Sequence, residues 1–125
     1  MAGSFRDLNI WQTGHNLALE VRKFTTNYPK EEKFGLIDQT NRSSTAIPAL
    51  IAESHGRYFY KDKIRVLYES RGEIDETRSH LSLAVSLEYI KTVDFQKLDL
   101  EYEHLSRSVS SYIRSLNPER PENAN

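Results

Sequence analysis

The sequence predicts an all-α protein, an antiparallel up-down-up-down four-helix bundle with its second helix kinked at Pro48, and three observations lead there. Apolar residues recur at three- and four-residue steps along four long stretches, which gathers them on one face of a helix. Five glycines and four prolines in 125 residues are too few to punctuate a many-stranded β fold. The breaks between the stretches are short, and short connections lay consecutive helices side by side in opposite directions.

The first stretch, Asp7 to Tyr28, carries Ile10, Leu17, Val21, Phe24 and Tyr28 at helical spacing, widened by Trp11 and Ala18. Asp7 can accept from the free amides of a first turn and is the expected N-cap. Pro29 is the expected stop. Pro29, Glu31 and Glu32 favour a fresh helical start that Gly35 interrupts, so a short connecting turn is expected. The second helix, about Gly35 to Ser54, aligns Leu36, Thr40, Ile47, Leu50, Ile51 and Ser54. Pro48 inside it has no amide donor and crowds the carbonyl of Ser44, hence the kink. Hydroxyls of Ser43, Ser44 and Thr45 can serve the freed carbonyls, and Gly56 offers a left-handed stop.

The third helix, Tyr58 to about Thr92, carries Tyr60, Ile64, Leu67, Ile74, Leu81 and Val85, and continues through Leu87 or Glu88. Arg71 and Arg78 interrupt its stripe, and Gly72 permits another backbone to approach closely. The fourth, with Asp94 as N-cap, gives the cleanest pattern: Phe95, Leu98, Tyr102, Leu105, Val109, Tyr112 and Leu116 alternate threes and fours throughout.

The chain has the size of one domain, expected over 1–117, with a disordered tail at 118–125 that contains Pro118 and Pro121. The absence of cysteine excludes disulfides, thiolate catalysis and Cys-based zinc sites. No apolar run is long enough to cross a membrane, and Met1 to Phe5 lack the regions of a signal peptide, so a cytoplasmic domain with no membrane partner is expected. There is no Gly-rich phosphate loop, no Gly-x-Ser-x-Gly elbow and no His-Glu-x-x-His motif, so neither enzyme activity nor a cofactor is expected.

The net charge of −1 conceals an uneven distribution. Residues 1–41 are neutral, 42–71 carry +3 and 72–125 carry −4. Arg42, Arg57, Lys61, Lys63, Arg65 and Arg71 make up the basic segment, around the turn between the second and third helices, interleaved with Tyr58, Phe59 and Tyr60. Cations meet phosphates and rings stack on unpaired bases, so these residues, with Tyr58 and Tyr60 as platforms, are the candidate contacts to RNA or DNA. The competing reading has Arg57 with Glu53 and Arg65 with Glu69 as ordinary i,i+4 pairs, the aromatics in the core or an interface, and the basic segment facing the acidic final third of a neighbouring subunit or a protein partner. A two-metal carboxylate site needs Glu-x-x-His on two helices. Only Glu101 and His104 fit that spacing, with Glu76 and His80 at i,i+4, so a surface pair and no metal is expected. Arg71 and Arg78, falling on an apolar stripe, require carboxylates such as Glu53 or Glu76, or a subunit interface or pore. Trp11 and Tyr28 are expected to anchor the core or the interface, and the many aromatics suit self-association.

Phe5-Arg6-Asp7-Leu8 with Trp11-Gln12, the connection Tyr28-Pro29-Lys30-Glu31-Glu32-Lys33-Phe34-Gly35-Leu36, and Ile47-Pro48-Ala49-Leu50-Ile51-Ala52-Glu53 resemble the family first described as open reading frames in intervening sequences of bacterial 23S ribosomal RNA genes. Gln39, Arg42, Gly56-Arg57, Lys61, Arg65, Leu67, Arg71-Gly72 and Ile74-Asp75-Glu76 follow at the family's spacing, and the likeness extends from Phe5 to Leu116. The resemblance implies an antiparallel four-helix bundle that assembles into ring-like pentamers, with no catalytic activity attached. Similar bundles among accessory proteins of diversity-generating retroelements form basic pentameric barrels that engage nucleic acid and a reverse transcriptase, which suggests a binding role by analogy. The chain departs from the family in having Leu50 for Asn, Ser54 for Gly, Phe59 for an N-cap Ser, and Glu73 for Ser. Leu50 and Glu73 replace polar residues that a shared function could use.

Overall fold

The structure, a computed structural model, describes residues 3–116. These form four long helices, α1 (Asn9–Thr25), α2 (Leu36–Gly56), α3 (Tyr60–Ser86) and α4 (Thr92–Leu116), with short 3-10 turns at Phe5–Asp7 and Lys30–Glu32 and no strand among the described residues. The chain is an all-α four-helix bundle, and the tail expected at 118–125 lies outside the described residues.

The predicted stripes form one core. Ile10, Leu17 and Val21 of α1, Leu36, Ile47 and Ile51 of α2, Leu67, Ile74 and Leu81 of α3, and Leu98, Tyr102, Leu105 and Val109 of α4 are buried together. Phe24, Trp11, Ile64, Phe95 and Tyr112 pack against that cluster from its margin. Tyr60 of the predicted stripe is exposed, and Val66, outside it, is buried.

α2 and α3 make the most extensive helix pair, and hydroxyls explain how closely they fit. The hydroxyls of Ser43 and Thr77 lie 2.7 Å apart, Ser70 donates to the Ile47 carbonyl at 3.2 Å, and Ser54 donates to the Lys63 carbonyl at 3.0 Å. Small side chains let the backbones approach, and each of these serine and threonine hydroxyls finds a partner, which avoids the cost of an unsatisfied polar group. These three bonds advance along α2 as they retreat along α3. Thr25 with Asn41 and Arg22 with Thr45 run in the same opposed sense between α1 and α2.

Several local expectations are overturned at the helix ends. Asp7 ends the first 3-10 turn, which Ser4 caps by accepting from the Arg6 amide; Leu8 precedes α1 and makes no side-chain cap. α1 ends at Thr25, four residues before Pro29, because the chain turns there through Asn27 and Tyr28 amides bonded to Phe24 and Thr25 carbonyls. Gly56 is helical, and Arg57 with extended backbone ends α2. The hydroxyls of Ser43 and Ser44 bond the Thr40 and Asn41 carbonyls of the preceding turn, and Thr45 accepts from Arg22.

α3 stops at Ser86, well short of Thr92, through a C-terminal motif that the sequence hides. Glu88 adopts φ 65°, while its amide donates to Val85 at 3.0 Å and the Tyr89 amide reaches back to Ala84 at 2.9 Å. This is the Schellman pattern with Glu at the position glycine usually takes. Asp94 falls inside the first turn of α4, which starts three residues earlier than expected. Gly72 is exposed, and an added Cβ there meets nothing within 4 Å. The close approach occurs instead at Gly14, whose Cβ would stand 3.4 Å from Ile47, 3.6 Å from Pro48 and 3.7 Å from Leu105.

Candidate nucleic-acid interface

The link from α2 to α3 is three residues long, Arg57 to Phe59, with extended backbone at Arg57 and Phe59. That geometry turns the aromatic side chains away from the bundle. Tyr58 is 86% exposed, Phe59 63% and Tyr60 52%, with Tyr58 and Phe59 edge to face at 4.9 Å. Large exposed rings at one tip of a small domain form the sort of surface that marks an interaction site.

The turn is held from within. Lys63 donates to the His55 carbonyl at 2.9 Å and the Ser54 carbonyl at 3.4 Å, while Ser54 donates to the Lys63 carbonyl. The ammonium thus sits at the negative end of α2, where a cation is favoured, and Lys63 acts as a cap. Ser54, where the resembled family has Gly, is therefore a structural partner of the turn.

The remaining cations divide. Arg57 bonds Glu53 at 2.5 Å and Arg65 bonds Glu69 at 2.8 Å, both i,i+4 pairs as the competing reading requires. The Glu53 hydrogen bond, then its charge, raise the pKa of Arg57 further. Lys61 has no partner among the described residues. Arg42 does not join the tip. It lies 4.0 Å from Asp38, fifteen residues and so about 22 Å up α2 from Arg57, beside a groove that Glu73 and Glu76 also line. Arg71 is likewise up the bundle, its guanidinium 5.5 Å from the Tyr68 ring centroid and its Nε buried without a hydrogen-bond partner. The structure therefore gathers Arg57, Tyr58, Tyr60, Lys61, Lys63 and Arg65, and separates Arg42 and Arg71.

Arg78 meets a carboxylate that sequence spacing did not identify. Its Nε and Nη2 reach the two oxygens of Asp99 on α4 at 2.7 and 3.1 Å, a two-pronged clamp. That hydrogen bond is the main cause of its raised pKa. Glu76 stands 3.4 Å from the Nε2 of His80, one turn along the same helix. Glu101 and His104 share a groove with Glu20, and among the described residues no three His, Asp or Glu side chains converge into a metal site. No described helix is long and apolar enough to cross a membrane.

A second basic grouping escaped the sequence reading. Arg22, Lys30 and Lys33 line one groove at the opposite end of α2. They are spread over the end of α1 and the following turn, so only the fold brings them together.

Residues 6–111 match the protein family described as 23S rRNA-intervening sequence protein. Among solved structures, a protein with unknown function from the S23 ribosomal protein family of Bacteroides thetaiotaomicron VPI-5482 superposes with a TM-score of 0.75 at 24% identity, covering 84% of this chain and 98% of that one. This likeness concerns the fold. No curated protein matches the chain.

Proposed function

The chain belongs to the 23S rRNA-intervening sequence protein family, and from that premise we propose that it is a non-catalytic, self-associating bundle whose α2–α3 tip binds single-stranded RNA or DNA. The observation that carries this reading is the tip itself, with three exposed rings beside Arg57, Lys61 and Arg65. Stacking contributes about 1–3 kcal/mol per base. The competing ion pairs are solvent-exposed i,i+4 pairs that water and salt screen, so a phosphate can displace Glu53 or Glu69 at little cost. Assembly into a pentameric ring, implied by the family resemblance, would repeat the tip around an axis.

The second reading is a protein-interaction tip with no nucleic-acid role. It is favoured by Glu53, Asp62 and Glu69, which stand among the cations and leave little local surplus of charge.

Fluorescence anisotropy with a labelled single-stranded oligonucleotide tests the first reading. Affinity should fall steeply with salt, and Tyr58→Ala with Tyr60→Ala should weaken it by about tenfold or more. Arg57→Glu with Lys61→Glu should abolish binding while leaving the mass by light scattering unchanged. No binding at low salt removes the nucleic-acid reading, and dissociation of the oligomer by the charge reversals establishes the second.

A further inference from the structure

We propose a separate binding site at the other end of the bundle, a groove at the α1–α2 elbow where Arg22, Lys30 and Lys33 hold a small polyphosphate anion. The groove, of about 580 Å³, lies between the end of α1 and the start of α2, and no carboxylate lines it. Two acids of this region are held by other groups: Glu32 accepts from the Tyr89 hydroxyl at 2.9 Å and the Leu36 amide at 3.0 Å, and Asp38 lies 4.0 Å from Arg42. Glu31 does not line the groove. Glu73 and Glu76 line an adjoining groove that shares Arg22 and Lys33.

The cations are free to turn to a ligand. Lys30 has no partner among the described residues, Lys33 rests only over the exposed Phe34 ring at 5.4 Å, and Arg22 makes one long contact to Thr45 at 3.5 Å. Asn41 adds a neutral donor. Thr25 lies 3.3 Å from its Oδ1, which leaves the amide hydrogens to the groove. Tyr28 completes the lining. It is 5% exposed, and its hydroxyl is buried with no hydrogen-bond partner, a state that is costly to maintain. Burial pushes its pKa up to about 12, so the phenol keeps its proton at neutral pH.

A cation near the end of α1 complements the helix dipole, which accounts for Arg22 alone. It does not account for Lys30 and Lys33, which lie beyond the helix. One phosphate monoester carries about two negative charges, so three cations suit two or more linked phosphates. α2 spans 21 residues, about 30 Å, and the elbow and the tip are therefore independent sites.

Titration calorimetry of the full chain with inorganic tripolyphosphate at low salt tests the site. Saturable binding and a raised melting temperature are expected. Lys30→Glu with Lys33→Glu should lower affinity about tenfold or more with unchanged helical circular dichroism, and Lys33→Ala provides a milder variant should the double one misfold. Arg57→Glu with Lys61→Glu should leave this binding intact, which separates the site from the tip. Absence of saturable heat, or unchanged affinity in the lysine variants, overturns the proposal. So does displacement of tripolyphosphate from the Arg57→Glu, Lys61→Glu variant by an oligonucleotide lacking terminal phosphate, which would assign the groove to a strand backbone.

Discussion

Replacing Gly72 by Ala probes whether the middle of α3 faces open solvent. Gly72 is exposed within a 27-residue helix, and the added methyl meets no heavy atom within 4 Å. A glycine in a helix interior is about 0.8–1.0 kcal/mol less favourable than alanine, so Gly72→Ala should stabilise the fold by about 1 kcal/mol. Unfolding entropy of roughly 2.1 cal/mol/K per residue gives about 0.26 kcal/mol/K over 125 residues, and the gain then raises Tm by about 4 °C. Scanning calorimetry measures the shift, and light scattering measures the mass in the same samples. Gly14 supplies the contrast. Its surroundings at 3.4–3.7 Å admit a methyl but not a branched side chain, so Gly14→Val should lose about 1–3 kcal/mol through overpacking. An unchanged or lowered Tm for Gly72→Ala, with a fall in mass, would refute the reasoning and show that another chain packs on that backbone.

Two further outcomes follow from the departures at Phe59 and Glu73. Phe59 stands at the N-cap of α3 with extended backbone and no side-chain cap. Phe59→Ser should add about 1 kcal/mol by urea denaturation while weakening strand binding at the tip, so that stability and affinity move in opposite directions. Burial first, and then the charge of Glu76, raise the pKa of Glu73. The folded state therefore holds that proton more tightly than the unfolded chain, and stability falls as pH rises from the ordinary Glu value through the raised one. Glu73→Gln removes the penalty, so its stability advantage over the natural chain should be larger at about pH 7 than below about pH 4, where the unfolded Glu is itself protonated. An equal advantage at both pH values would count against it.

Legibility in the sequence tracked the range of the interaction. The alternating apolar steps of α4 led directly to Leu98, Tyr102, Leu105 and Val109 in the core, because helical periodicity is a local consequence of 3.6 residues per turn. Helix ends were read less well where the device was unusual. The stop at Glu88 uses a left-handed glutamate, a conformation that costs a non-glycine residue roughly 1–2 kcal/mol, so no glycine announces it. The small hydroxyl residues of α2 and α3 look like weak helix formers in sequence, yet Ser43, Ser70 and Thr77 are the seam that joins the two helices.

By itself the sequence determined the four helices, the faces they bury, the family resemblance and the i,i+4 pairs of Arg57 and Arg65, all of which depend on spacing along one helix. Tertiary structure alone decided which charges become neighbours. Arg78 found Asp99 across the bundle, Arg42 and Arg71 left the basic tip, and Arg22, Lys30 and Lys33 met at the elbow. The physical reason is that Coulomb and hydrogen-bond energies depend on distance in space, and helix packing sets those distances between residues far apart in the chain.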